Sequence, residues 1–377
     1  MRLRWATAMS IAALLAVGSS GAAGDRGPYF PNDVTDGTGW AAVQWNFSGD
    51  YGVGAPVAWG NLIASGSPGG SGVIVAVLDT GVGDASRSTR AATDLASAHL
   101  VRGWDFVDDD PDPADENGHG TAIASMIAAD TNNGFGLTGL AYGARIMPVR
   151  VIDRFGLGDR NAIARGIRFA VDHGAKVINL SFAFGRGVDE ADLAAVLGSL
   201  EYAAERGVLV VGAAGNDGGA SINYPARSKH VLAVGATTEF GCAAAYSNHG
   251  PELDLVAPGG GTDAALEDEH CRGGRRGRDV PQLTSAGVLG GSFGSSFAVP
   301  HVSATAALVL ATGILGPNPT PARIEARLER TARDLGAPGH DVRYGWGLVS
   351  AAAATATATS ARATSVAPPS RVSSGPE

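Results

Sequence analysis

Short, almost uninterrupted runs of apolar residues recur through the chain. The first spans residues 73–78 and ends at Asp79. An apolar run without polar alternation is typical of a parallel strand that is buried on both faces. The pattern therefore predicts a buried strand here and at five further runs, which span residues 146–151, 177–182, 208–212, 231–234 and 253–257.

Two helical patterns lie between these runs. Ile163, Ile167 and Val171 share one face of a helix predicted over residues 159–173, and Gly174 follows at the position of a C-terminal cap. A second apolar face runs from Leu193 and ends near residue 207. Strands that alternate with helices predict an α/β fold, a three-layer, doubly wound and mostly parallel sheet with helices on both faces. Functional sites of such sheets lie beyond the carboxyl ends of the strands.

Composition narrows the class of protein. The 377 residues are 45% hydrophobic, which is enough for a substantial core. A net charge of −9 and the lack of a basic face exclude nucleic acid as the expected partner. The short basic run at residues 272–278 (RGGRRGR) is interpreted as a solvated loop.

The first residues have the pattern of a secretory signal. Arg2 and Arg4 precede an apolar stretch over residues 6–17, and small residues follow through Ala23. The stretch is shorter than the ~20 residues that span a bilayer, so no membrane anchor is expected in the mature form. The pattern predicts a signal at 1–23 and export to the extracellular space or periplasm. Residues 302–315, the next most apolar stretch, are interpreted as a buried helix.

The chain has two cysteines, Cys242 and Cys271. In an exported protein an even number of cysteines favours a disulfide. The alternative is two free, buried thiols. Neither cysteine lies in a motif that suggests a nucleophile or a metal ligand.

Four segments carry candidate chemistry. Asp79 ends a buried strand, His119 stands between two glycines at a predicted helix start, and Asn216 follows another strand. Ser296 opens an apolar helix, where its N–H is one of the free donors of a helix start and its Oγ is near the positive end of the dipole. Each residue alone also fits a role as a cap or turn residue. Nearby hydroxyls at Ser292 and Ser295 are expected to cap the helix, and Pro300 is expected within about its first turn.

Taken together, these segments resemble the subtilisin-like serine proteases. The D-[ST]-G motif of that family matches residues 79–81, and its H-G-T motif matches residues 119–121 without change. Its G-T-S-[MF]-A-x-P motif matches residues 294–300, with Ser295 in place of Thr. The order Asp, His, Ser is also that of the family. The resemblance covers about residues 29–354.

The resemblance implies a secreted serine endopeptidase. Ser296 would be the nucleophile, His119 the general base and acid, Asp79 the residue that orients the histidine, and Asn216 an oxyanion donor. The substrate would be a protein or peptide held in an extended conformation. The residues that would bind it are Gly156, Leu157 and Gly158, then Ser181, Phe182 and Ala183, and finally Ala213, Ala214 and Gly215 of the primary pocket. Ala183 departs from the glycine usual in the family, and an apolar or broad preference is expected.

The chain divides into several parts. Residues 24–70 are rich in Gly, Pro, Asn and Trp and are expected to form an irregular N-terminal arm, and the catalytic domain is expected over residues 71–355. The Ala/Thr/Ser/Pro-rich stretch 356–377 lacks apolar periodicity and is predicted to be a disordered tail. Little room remains between Ala23 and Asp79 for the pro-domain that many relatives carry, so none is expected. A monomer is expected.

Catalysis of this kind needs no metal or other cofactor. The acidic run at residues 108–116 leaves open a structural calcium ion, because oxygen-rich loops bind Ca²⁺. The alternative is a solvated acidic loop.

Three other functions compete with that of a protease. A non-catalytic binding protein with the subtilisin fold would be expected to lose a triad residue, and it remains the alternative. A relative with Glu in place of the histidine is disfavoured by His119. An α/β-hydrolase would need Gly-x-Ser-x-Gly and the order Ser, Asp, His, which this sequence lacks.

Overall fold

The computed structural model describes residues 27–33, 39–83, 94–95, 99–134, 136–265, 271–284 and 288–357. The predicted signal at 1–23 lies outside the described residues. The predicted tail also lies outside them, except for residues 356 and 357.

A parallel sheet forms the centre of the molecule, with the strand order β2-β3-β1-β4-β5-β6-β7. Its strands are β1 Ile74–Asp79, β2 Trp104–Asp105, β3 Arg145–Arg150, β4 Val177–Leu180, β5 Leu209–Ala213, β6 Leu232–Thr237 and β7 Leu255–Pro258. Each predicted apolar run forms a strand. The edge strand β2 was missed because it is two residues long, too short for an apolar run.

Helices cover both faces of this sheet. They are α1 Trp40–Val43, α2 Trp45–Ser48, α3 Ala55–Ala64, α4 His119–Ala128, α5 Arg160–Asp172, α6 Ala194–Glu205, α7 Ser295–Thr312, α8 Pro321–Arg330 and α9 Ala351–Thr355. An antiparallel hairpin of β8 Val280–Leu283 and β9 Leu289–Ser292 precedes α7. Both predicted helices are present, as α5 and α6. Gly174 follows α5 with a positive φ of 89°, as expected of a C-terminal cap.

The alternation of side chains along each strand divides the interior into two cores. Val75 and Val77 of β1 belong to the core shared with α4 and α7, whereas Ala76 and Leu78 belong to the core shared with α5 and α6. The period of two along a strand has this consequence when both faces are covered. The predicted three-layer α/β architecture is therefore confirmed.

Helix α7 is the centre of the first core. It is the one helix of the described residues that is long and apolar enough to cross a membrane, and 78% of that window is buried inside the protein. A helix that is apolar all round is expected in the interior of a large domain. The interpretation of residues 302–315 as part of a buried helix is confirmed.

The described part of the N-terminal arm contains helices α1, α2 and α3, whereas an irregular segment was expected. Trp40, Phe47 and Trp59 are at most 3% exposed and belong to the same core as α7. Asn46 of α2 lies 2.8 Å from the Nε2 atom of His301 on α7. The glycines and prolines of the arm masked its helical pattern, whereas its large aromatic side chains stabilise the helices by burial.

The predicted disulfide between Cys242 and Cys271 is present, with a Cα–Cα distance of 5.5 Å. In the basic run 272–278, three of the four arginines are paired: Arg275 with Asp263, Arg276 with Asp279 and Arg278 with Glu239. The run is thus a largely exposed loop fastened by ion pairs, and the disulfide joins Cys271, directly before it, to Cys242.

Replacing Cys242 and Cys271 by serine should lower the free energy of unfolding by about 3–4 kcal/mol, because the bridge closes a loop of about 30 residues in the unfolded chain. Denaturant unfolding of the double variant, made in the Ser296→Ala background to avoid self-cleavage, measures the change. Reduction of the disulfide in the Ser296→Ala protein that keeps both cysteines should lower the free energy of unfolding by the same amount. An unchanged midpoint and slope would contradict this prediction.

Candidate active site

The predicted chemical residues gather where the strand order reverses. From β1 the chain goes to β2 and β3 on one side, and from β4 onwards it continues on the other side. Asp79 is the last residue of β1, and Asn216 lies three residues beyond β5. Helices α4 and α7 begin at the same edge. A reversal of this kind opens a crevice at the carboxyl ends of the strands.

His119 and Asp79 form a close pair. The distance from His119 Nδ1 to Asp79 Oδ1 is 2.7 Å, and the same oxygen accepts the backbone N–H of Thr80 at 2.8 Å. Asp79 is fully buried, whereas 28% of the His119 side chain is exposed. Because a carboxylate only accepts, Nδ1 carries the proton and Nε2 of the neutral ring is left as a base.

Glycine at position 120 makes this pair possible. A Cβ at this position would lie 2.1 Å from the carbonyl oxygen of Gly81 and 3.1 Å from the Cβ of Asp79. Only a residue without a side chain lets α4 begin directly against the end of β1. Gly118, at the N-cap of α4, has a φ of 102°, which favours glycine.

Asp115 is a residue of this site that the sequence analysis assigned only to an acidic run. Its buried carboxylate accepts five hydrogen bonds, from the backbone N–H groups of Asn117, Gly118 and Thr121 and from the hydroxyls of Thr80 and Thr121. Thr80 Oγ1 in turn accepts the N–H of Gly120 at 2.9 Å. Asp115 therefore caps α4 and ties it to β1. An Asp shortly before a helix start is a capping signal that could have revealed it.

The charges around His119 favour its protonated form. Burial lowers the pKa of His119, but the charge and hydrogen bond of Asp79 and the charge of Asp115 raise it by more. The net result is a pKa above the ordinary value of histidine.

Ser296 is the second residue of α7 and is half-buried. The ring of Phe297, its neighbour, lies 5.6 Å from the ring of His119, so the two helix starts adjoin. Within the described residues Ser296 Oγ makes no hydrogen bond. Bonds of this kind are often long without substrate and tighten in the Michaelis complex.

Ser295 does not cap α7, contrary to expectation. Gly294 holds the cap position, and the N–H and Oγ of Ser295 both donate to Asn216 Oδ1, at 2.8 and 2.9 Å. Ser292 lies outside the helix, in β9. Ser295 holds the side-chain oxygen of Asn216, and the Nδ2 group lies 3.4 Å from the position that a Cβ at Gly294 would occupy. Asn216 is exposed to solvent. The serine that replaces the family's threonine thus orients the amide.

The predicted substrate-binding residues fall on three segments around this crevice. Gly156, Leu157 and Gly158 lie in a tight exposed loop, closed by a hydrogen bond from the Asp153 N–H to the Leu157 carbonyl. The segment after β4 contains Ser181, which is buried, Phe182, which is half-buried, and Ala183, which is exposed. The third segment is Ala213, Ala214 and Gly215, which are all buried.

Part of the acidic run is balanced by Arg150. This buried side chain pairs with Asp105, Asp108 and Glu116 at 2.6–2.7 Å. The structure describes no group of three or more His, Cys, Asp or Glu side chains that could hold a metal ion. The run includes an arginine-centred ion-pair cluster that anchors the loop before α4.

Comparison with known proteins gives a consistent result. A sequence profile of the subtilase family, peptidase S8, matches residues 70–347. Thermitase from Thermoactinomyces vulgaris is 38% identical over 285 residues, which cover 76% of this chain and 88% of thermitase. The cell wall-associated protease of Bacillus subtilis (strain 168) is 38% identical over 264 residues, 70% of this chain but only 26% of that longer protein.

Similarity extends to solved structures. A protease from Pseudoalteromonas arctica PAMC 21717 superposes with a TM-score of 0.69 at 31% identity, over 87% of this chain and 99% of that one. The family profile, the relatives and the fold agree with one another. The chain therefore belongs to the subtilase family of serine-type endopeptidases.

Proposed function

We propose that this chain is a secreted enzyme that hydrolyses peptide bonds through an acyl-enzyme formed on Ser296. The observation that carries the proposal is the 2.7 Å pair of His119 and Asp79 at the carboxyl edge of the sheet, beside the start of α7. A buried carboxylate, an imidazole with a free Nε2 and a serine at a helix start are the parts of a serine-protease triad.

The chemistry proceeds in two halves. Ser296 Oγ attacks the peptide carbonyl carbon while His119 Nε2 takes the hydroxyl proton. The tetrahedral intermediate collapses, the C–N bond breaks, and His119 gives the proton to the leaving amine. Water then repeats the sequence on the ester and releases the acid. Asp79 keeps the Nδ1 proton in place and stabilises the imidazolium.

The oxyanion of each intermediate is stabilised by two donors, the Nδ2 group of Asn216 and the backbone N–H of Ser296. Asn216 is held by its oxygen to Ser295, so its donor is oriented before substrate arrives. Preorganisation of this kind contributes to catalysis because no dipole has to turn during the reaction.

The substrate lies in an extended conformation between the segments at 156–158 and 181–183, and its primary side chain enters a pocket walled by Ala213, Ala214 and Gly215. The small, buried character of this wall supports an apolar or broad preference. Catalysis uses no cofactor. Secretion is supported by the sequence pattern at 1–23 and by the disulfide, a bond typical of exported proteins.

Substitution Ser296→Ala should abolish peptide hydrolysis, because it removes the hydroxyl that forms the acyl-enzyme; we expect kcat to fall by at least about 10⁴-fold. Steady-state cleavage of a chromogenic peptide measures the effect. The matched control is Ser292→Ala, four residues earlier on β9, which should keep kcat within about twofold. Comparable loss in both variants, or activity that survives in the first, would exclude Ser296 as the nucleophile.

Replacing Asn216 tests its role as the oxyanion donor. Asn216→Asp keeps an oxygen acceptor for Ser295 but loses the N–H donor, whereas Asn216→Ala loses both. Both should lower kcat by about 10²–10³-fold, the range known for an oxyanion donor removed from a subtilisin, with little change in KM. Wild-type kcat in the Asp variant would show that the amide donor is not used.

The acid limb of the pH profile should reflect the charges around His119. Its neutral form is the base, so kcat/KM rises with pH as the imidazole loses its proton. Because Asp79 and Asp115 raise the pKa of His119, the midpoint should lie above 6.5 with a substrate that does not titrate in this range. A midpoint below 6.5 would contradict the proposed electrostatics.

A further inference from the structure

Three polar side chains form a hydrogen-bond network in the otherwise apolar core between β4 and α7. Ser303 Oγ donates to Asn179 Oδ1 at 2.9 Å, Asn179 Nδ2 donates to Ser181 Oγ at 2.8 Å, and Ser181 Oγ donates to the carbonyl oxygen of Ser296 at 2.9 Å. These residues, the Asn179 network, are at most 2% exposed. The network therefore ends on the backbone of the proposed nucleophile.

The periodicities of the two elements place these residues face to face. Asn179 and Ser181 are two residues apart on one face of an extended segment, and Ser296 and Ser303 are seven residues apart, two turns of one helix. Val177, the preceding residue on this face of β4, belongs to the apolar core. An apolar side chain would fit the pattern at 179 equally well.

Pro300 explains why the carbonyl of Ser296 needs this partner. In a regular helix that carbonyl accepts the N–H of residue 300, but proline has no N–H and its ring crowds the carbonyl four residues earlier. Pro300 is the sixth residue of α7 and lies beyond the first turn, contrary to expectation. The hydroxyl of Ser181 supplies the missing donor from outside the helix.

We propose that Asn179, Ser181 and Ser303 are positioning residues for the nucleophile, and that Pro300 frees the Ser296 carbonyl so that they can hold it. This inference rests on the proposed function of Ser296. The network sets the backbone at 296, and with it the direction of Oγ and of the oxyanion-binding N–H. None of the three side chains takes part in bond making.

The energetics favour a specific role over a passive one. A buried amide or hydroxyl lowers stability unless it is hydrogen-bonded, and an apolar core of similar volume would avoid that cost. The Asn179 network uses both ends of the Asn179 amide, so its geometry is fixed at each step. A displacement of about 1 Å at reacting groups can lower a rate about 10²-fold, so small shifts at 296 have large effects.

The decisive variants are Ser303→Ala and Asn179→Leu. Both residues are fully buried and reach the Ser296 carbonyl only through Ser181, so neither change alters the surface that faces the substrate. Each should lower kcat by about 10- to 100-fold and leave KM within about twofold. The second-order rate of inactivation by a fluorophosphonate should fall by the same factor, because it measures the nucleophile without peptide binding. Ser181→Ala should show at least as large a loss of kcat.

The matched control is Thr305→Val on the same helix. Thr305 is fully buried and donates only to the carbonyl of His301, at 2.7 Å, outside the network. Its loss should lower the melting temperature as Ser303→Ala does, yet leave kcat and the inactivation rate within about twofold.

Comparison of the variants decides between the possibilities. Cooperative unfolding of Ser303→Ala with wild-type kcat would overturn the positioning role, as would an equal kinetic loss in Thr305→Val. If Asn179→Leu does not fold, Ser303→Ala carries the test. Failure of the proposed function itself looks different, because the unmodified enzyme would then not react with the fluorophosphonate at all.

Discussion

The close approach of helix α4 to the end of strand β1 is the constraint on which the site depends. A single β-carbon at position 120 would collide with the carbonyl of Gly81 and separate His119 from Asp79. Asp115 then fixes the distance by accepting hydrogen bonds from both elements. A buried carboxylate such as Asp79 is costly unless it is paired and hydrogen-bonded, and the close approach of the two elements supplies its partner.

The other half of the site depends on α7 in a comparable way. This apolar helix is buried in the core, so its first turn cannot shift without disturbing the packing of the whole layer. Polar groups nevertheless reach it from two strands, Asn216 after β5 and Ser181 after β4. The apolar core thus keeps α7 rigid, and the few polar side chains orient the groups at its first turn.

Much of this was predictable because parallel strands buried on both faces leave an apolar signal, and because the candidate site residues lie in short motifs. The arm was mispredicted, since its helices depend on burial of Trp40, Phe47 and Trp59, a tertiary effect. Asp115 was hidden among neighbouring acids. The bond of Ser295 to Asn216 joins residues 79 positions apart, which no local pattern reveals.

The most direct test of the proposed mechanism is a crystal structure of the enzyme with a peptide boronic acid, which mimics the tetrahedral intermediate. We expect a covalent bond from boron to Ser296 Oγ, with one boronate oxygen within about 3 Å of Asn216 Nδ2 and of the Ser296 N–H. His119 should remain bound to Asp79. A boronate attached to another hydroxyl, or an Asn216 amide that points away from it, would contradict the proposed mechanism.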